Sequence, residues 1–277
     1  MYTIYFGGEF ILDIRERLKK SKRVVIKVGT STITYHENGR LNLKRIEKMA
    51  WVISDLVNQG KDVVLVSSGA IGVGSTRLNF TERPKETRKK QAAAAVGQAV
   101  LMQIYQNFFN EYSQTVAQIL LTKDDVNIDE RRHNVENTFR TLFEMGVVPI
   151  VNANDTISTD EIEFSDNDRL SALVAQLTSA DLLIILTDID ALYDGDPRVN
   201  PDAKRISCVE KITDEIMAMA GSNGSKYSVG GMITKLEAAK MCEENNIDMV
   251  VAHGENPTII DDVIDGLDVG TLFIGKH

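Results

Sequence analysis

The stretch that decides how the rest of the chain is read is Val24-Val25-Ile26-Lys27-Val28-Gly29-Thr30-Ser31-Thr32. Val24, Val25 and Ile26 form a β-branched apolar run that reads as a short buried strand. Lys27 interrupts it near its C-terminal end, where an ammonium group is costly unless an anion pairs with it. Gly29 lets the backbone approach something bulky, and Thr30, Ser31 and Thr32 add hydroxyl donors. Such a set suits a phosphate at the edge of an α/β sheet, where ligands sit beyond the strand C-termini. A lysine that snorkels out from a strand end is the other reading, and this stretch alone leaves both open.

Moving outward, strand and helix patterns alternate. Residues 41–59 read as a helix capped by Asn42, with Leu43, Ile46, Met49, Ala50, Ile53 and Val57 at helical spacing and Gly60 as its stop. Residues 62–66 are a second apolar strand running into Ser67, Ser68 and Gly69. A strand that ends in such a turn and opens a helix makes an anion site from backbone N–H groups and the helix dipole. Residues 81–90 read as a solvated loop and helix start, 91–109 as a long Ala-rich helix, and 116–121 as a strand. A capping pattern at Thr122 predicts one helix lasting to about residue 145. The strand at 147–151 leads into Asn152, Asn154 and Asp155, and a second polar group follows at Asp166, Asn167 and Asp168. Any one of these six fits a solvated turn, but all six bracketing one short segment suit a polar ligand with an ammonium group, or a metal. Residues 182–186 form a fully apolar strand ending in Thr187 and Asp188. Residues 191–201 read as a surface loop and 221–231 as a Gly/Ser-rich mobile loop. That loop feeds a helix with Lys235 in its early turns, which suits polyphosphate. The class is therefore α/β: an open, mostly parallel central sheet covered by helices on both faces, a three-layer sandwich.

Composition narrows the function. A chain of 277 residues with net charge −9 does not present a general nucleic-acid surface. No apolar run approaches the ~20 residues a membrane helix needs, and the N-terminus lacks a signal-peptide pattern, so a cytoplasmic protein is expected. Cys208 and Cys242 lack metal-ligand spacing and read as reduced thiols. There is no GxxxxGK[ST], no protein-kinase set and no GxGxxG after the first strand. What remains is Lys27 and Lys235 in two glycine-containing anion sites, with Asp168 available to hold the ammonium groups. That set suits phosphoryl transfer to an acceptor that is already anionic, because a carboxylate needs no general base.

The segments VVIKVGTST, VVLVSSGAIGVG, AVGQ, QILLT, VPIVNANDT, DNDRLSALVA, LLIILTDIDALYDGDPRVNP, GGMITKLEAA and VGTLF, running in order from residue 24 to 273, resemble the amino acid kinase family in its glutamate 5-kinase branch. The resemblance implies one kinase domain over residues 23–277, behind an N-terminal extension (1–22) to which no role is assigned. Its N-terminal part would bind glutamate and the part from about 180 the nucleotide. It implies ATP-dependent phosphorylation of the γ-carboxylate of L-glutamate, the first step toward proline, with Mg²⁺ on the ATP phosphates and no dedicated protein metal site. Lys27 and Lys235 would stabilise the transferring phosphoryl group and Asp168 would orient them. Gly29 and Gly69 would offer amides to phosphate. Ser68, Asp155 and Asn167 would bind glutamate, helped by Gly69, Asn152, Asn154 and Asp166. Thr187 and Asp188, with Val229, Gly230, Gly231, Met232, Ile233, Thr234 and Lys235, would contact the nucleotide. Family members are commonly inhibited by L-proline and form dimers or tetramers, and the unstable acyl phosphate makes a glutamyl phosphate reductase a possible partner.

Three departures stand out, one being that the N-terminal extension lies outside the matched segments. Many bacterial members carry a C-terminal PUA domain, and this sequence runs to His277 without one, so behaviour that depends on that domain is not expected. Val229 stands where a threonine is expected, so any nucleotide contact there is main-chain. A sister enzyme with another acceptor, or a silent amino-acid sensor, are the alternative functions.

Overall fold

The structure is a computed structural model that describes residues 4–5, 11, 14–35, 37–82, 84–157, 167–195, 200–222 and 231–276. Its strands are β1 (Ile4–Tyr5), β2 (Arg23–Val28), β3 (Asp62–Ser67), β4 (Val116–Leu121), β5 (Val148–Ala153), β6 (Leu182–Thr187), β7 (Leu192–Tyr193), β8 (Arg205–Ile206), β9 (Cys208–Val209), β10 (Asp248–His253) and β11 (Thr271–Phe273). The helices used below are α1 (Leu43–Asn58), α2 (Ala70–Arg77), α3 (Thr87–Glu111), α4 (Asn167–Leu177) and α5 (Met232–Glu244). The chain forms two compact units, one of residues 28–167 and one of residues 1–27 with 168–277.

In the 28–167 unit the strand order is β3-β5-β4, all parallel, with Leu65 opposite Ile150 and Gln118 opposite Ile150 on the other side. Every residue of β5 is buried, so both faces of the sheet are covered at this strand, as its apolar run 148–151 requires. In the other unit the order is β1-β9-β11-β10-β6-β2. β6 and β10 are parallel over their full length, from Leu182 opposite Asp248 to Thr187 opposite His253, and β6 is entirely buried. β11 runs antiparallel to β10, and β1 antiparallel to β9. The expected α/β class with a mostly parallel sheet stands.

Several boundaries differ from expectation, each for a local reason. Asn42 caps α1 as read, its side chain accepting the Arg45 N–H at 3.1 Å, and the helix ends at Asn58. The long Ala-rich helix starts earlier, at Thr87, because Arg88, Lys89 and Lys90 are good helix formers and do not oppose propagation. The helix expected to run from Thr122 to about residue 145 is two helices, Lys123–Asn127 and Asp129–Glu144, broken at Ile128, which has extended dihedrals. The Thr122–Asp125 capping box that starts the first of them is present. The expected surface loop at 191–201 contains β7, which pairs with β8. Leu192 there is buried, and its N–H donates to Thr271 Oγ1 at 2.9 Å. Most of the loop expected to be mobile, residues 223–230, lies outside the described residues.

Among residues 11–20, Ile11, Ile14 and Arg15 are helical, a 3₁₀ turn follows at Glu16–Lys20, and Arg15 is fully buried. Its guanidinium donates to the carbonyls of Leu267, Val269 and Ser207, each at 2.9 Å, and pairs with Asp268 at 3.5 Å. Arg17 adds a bidentate pair to Asp248 at 2.6 and 2.7 Å. A buried guanidinium needs such a set of acceptors to offset its desolvation.

Two glycines set how closely α2 and α3 meet. A Cβ on Gly97 would stand 1.8 Å from the Ala70 carbonyl oxygen, and one on Gly74 1.8 Å from that of Ala93. Both obstacles are backbone, so neither side can yield cheaply. Gly97→Ala is therefore expected to destabilise the protein by about 3 kcal/mol, the upper range for overpacking, read as a lowered urea midpoint at unchanged m-value.

Candidate active site

Lys27, Asp168 and Lys235 come together within the unit that contains all three. Lys27 is the penultimate residue of β2, Asp168 lies in the first turn of α4, and Lys235 lies in the first turn of α5. All three are buried. Lys27 Nζ is 2.6 Å from Asp168 Oδ1, and Lys235 Nζ is 3.0 Å from Oδ2. Thr234 Oγ1 also lies 3.0 Å from Oδ2, and 2.9 Å from the Gly231 carbonyl oxygen. One carboxylate thus spaces two ammonium groups, and the three charges sum to +1. Burial alone would raise the Asp168 pKa, but the two lysines outweigh it and hold the carboxyl below its ordinary range.

Gly231 caps α5 in an extended conformation, and Met232, Ile233 and Thr234 form its first turn, whose N–H groups are a ready anion site. Thr187, at the end of β6, is buried and donates its hydroxyl to Asp188 Oδ1 at 3.0 Å, while Asp188 is exposed. Val229 and Gly230 lie outside the described residues.

In the 28–167 unit a second polar cluster surrounds the end of β3. Gly69 has φ 97°, and a Cβ there would meet Ile33 Cδ1 at 3.0 Å, so this turn needs glycine. Gly29, at φ −77°, is not held to glycine by its backbone. The Ser68 N–H donates to the Val28 carbonyl at 3.1 Å, tying this turn to the end of β2. Asn167 Nδ2 is 2.9 Å from each of Ser67 O, Ser68 Oγ and Asn152 Oδ1. Asn152 is buried and donates its Nδ2 to Gln98 Oε1 at 2.9 Å. Tyr105, fully buried on α3, bonds Ser67 Oγ at 2.9 Å, and burial pushes its phenol up to about 12, so it stays protonated. Asn154 is occupied by its own turn: its Oδ1 accepts the Thr156 hydroxyl and its carbonyl accepts the Ile157 N–H. Asp155 is half-buried beside it, and Asp166 lies outside the described residues. Gln98 and Tyr105 were not singled out by the sequence, although Gln98 closes the quoted segment AVGQ.

A model of the amino acid kinase family matches residues 22–253. The chain belongs to the amino acid kinase family. Within it, the chain is similar to the glutamate 5-kinase of Clostridium perfringens, at 57% identity over 95% of this chain and 99% of that one. It is also similar to the glutamate 5-kinase of Listeria innocua, at 53% identity over 95% and 96%. Among solved structures, the UMP kinase of Bacillus anthracis superposes with a TM-score of 0.62 at 15% identity, covering 93% of this chain and 97% of that one. The UMP kinase of Ureaplasma parvum gives 0.61 at 18%, covering 91% and 97%. At such low identity the structural likeness shows the amino acid kinase fold alone.

For this amino acid kinase the depressed Asp168 pKa fixes a sign. A carboxyl whose folded pKa lies below its unfolded value stabilises the fold above the unfolded value, near 3.8, and that contribution fades as pH falls through the folded pKa. Asp168→Asn is expected to lower stability by about 3 kcal/mol near neutrality by stranding two buried ammonium groups. The gap to the parent protein should narrow below pH 3.8, as read from denaturant midpoints across a pH series.

Proposed function

We propose that the protein catalyses ATP-dependent phosphorylation of the γ-carboxylate of L-glutamate, giving L-glutamyl 5-phosphate, the first step of proline biosynthesis. The observation that carries this reading is the pair of buried lysines spaced by one carboxylate, in a chain 57% identical to a glutamate 5-kinase. In phosphoryl transfer the protein has little covalent chemistry to perform. It must neutralise charge on the transferring group and hold donor and acceptor in line. Lys27 and Lys235 supply that neutralisation, and Asp168 holds both ammonium groups in place. Because the attacking carboxylate carries no proton at neutral pH, no general base is needed.

The nucleotide phosphates would be held by the first-turn N–H groups of α5, with Thr187 and Asp188 contacting the rest of the nucleotide. Mg²⁺ bound on those phosphates would supply further charge neutralisation. The amino-acid acceptor suits the second cluster. The Ser68 hydroxyl accepts from Asn167 and keeps its own proton to donate to a carboxylate, whereas Asn167 Oδ1 can accept from an ammonium group. Asp155 adds the negative charge such an ammonium group calls for. From the same resemblance we assign L-proline as an inhibitor, a homo-oligomeric state, a cytoplasmic location and a reductase that consumes the labile acyl phosphate.

The test is hydroxamate formation with ATP, Mg²⁺, hydroxylamine and L-glutamate, against aspartate, N-acetylglutamate and UMP. A glutamate-dependent signal is expected, since hydroxylamine traps an acyl phosphate. ADP release with another acceptor, and no hydroxamate, would move the chain to a different substrate. Lys235→Met should lower kcat by about 10²–10³-fold, the cost of removing one charge-stabilising donor, while glutamate affinity stays within a few-fold. Near-normal turnover in that variant would remove Lys235 from the mechanism.

A further inference from the structure

The three amides of the second cluster form a chain, Gln98 to Asn152 to Asn167, whose two ends of polarity are set by backbone groups. The Ala153 N–H donates to Asn152 Oδ1 at 2.9 Å. A backbone N–H is only a donor, so the Asn152 atom facing it must be oxygen, and its amino group must face Gln98. The Gln98 atom 2.9 Å away must then be its carbonyl oxygen. At the other end, the Ser67 carbonyl is only an acceptor, so the Asn167 atom beside it is the amino group. That amino group also faces Asn152 Oδ1. No amide can therefore flip alone without setting donor against donor or acceptor against acceptor. Asn167 Nδ2 has two protons for three acceptors, while among the described residues Asn167 Oδ1 has no hydrogen-bond partner.

We infer that Gln98 is a positioning residue for the acceptor substrate: its side-chain oxygen holds Asn152, and through it Asn167, with the Asn167 oxygen turned to accept from the substrate's ammonium group. This inference rests on the reading of the protein as a glutamate kinase. Gln98 reaches Asn152 from α3 because Gly97 and Gly74 let that helix approach α2 at backbone contact. Seven residues on, the same face of α3 presents Tyr105 to Ser67, so one helix grips the ends of both β5 and β3. Without an acceptor at position 98, the buried Asn152 amino group loses its partner. Such a group swings to find another, and Asn167 loses the oxygen that aligns it.

The test compares Gln98→Met with Gln98→Glu, which keeps an acceptor of the same length. The Met variant should raise the KM for L-glutamate about ten-fold or more, with the KM for ATP within about two-fold of the parent. The Glu variant should hold the glutamate KM within about three-fold. If the Met variant does not fold, Gln98→Lys, which sets a donor against the Asn152 amino group, takes its place as the loss variant. An unchanged glutamate KM in the loss variant overturns the inference. So does equal damage in the Glu variant, or a parallel rise in the ATP KM, which marks general disruption. Parent protein with no glutamate-dependent turnover would instead defeat the substrate reading, and the inference with it.

Discussion

A single buried carboxylate carries the charge balance of the lysine site. Two ammonium groups brought within 3 Å of Asp168 would repel one another and pay heavily for leaving water if that carboxylate were absent. Its placement in the first turn of α4 adds the helix dipole to the pull of the lysines. Three elements far apart in sequence, β2, α4 and α5, each deliver one charge to this point. The cluster stays net positive, so under the proposed function an anionic phosphoryl group would complete rather than disturb its balance. The same residues that make the site expensive to fold make it receptive to the chemistry.

The amide cluster solves a different problem. Amides are neutral, so in the proposed role they would hold a zwitterionic acceptor without adding charge, but an amide is useful only if its oxygen and nitrogen are the right way round. Here the choice is made by the backbone of Ser67 and Ala153, and the side chains pass it along. Helix α3 can take part because the α2–α3 crossing lacks side chains at Gly74 and Gly97. Packing and recognition are thus one feature: the close crossing is what carries a polar helix residue to the strand ends.

What could be read in advance followed from local signals. Runs such as 62–66 and 182–186 announce buried parallel strands, and Asn42 and Thr122 announce caps. Lys27 stood out because a charge at the end of an apolar strand contradicts its context, whereas Asp168 was one of six polar residues around a short segment and Lys235 followed a Gly-rich loop. The two-residue strands β1, β7, β8 and β9 are too short to show a period of two. Arg15 gave no signal because its acceptors lie about 190 to 255 residues away. Gln98 sits in an Ala-rich helix where an isolated polar residue normally faces solvent, and its burial depends on β5. The break at Ile128 depends on dihedrals that residue type does not specify.

Arg15 also bears on the order in which the chain is made. The 28–167 unit is continuous in sequence, whereas its companion is assembled from the first 27 residues and the last 110 or so. On the ribosome the continuous unit can close as soon as it emerges, at about 5–20 residues per second of synthesis. Arg15 and Lys27 must wait, hydrated, until their acceptors at 168 and at 207–270 have been synthesised. The guanidinium therefore acts as a late latch: this unit is completed only after residues 267–270 have been synthesised.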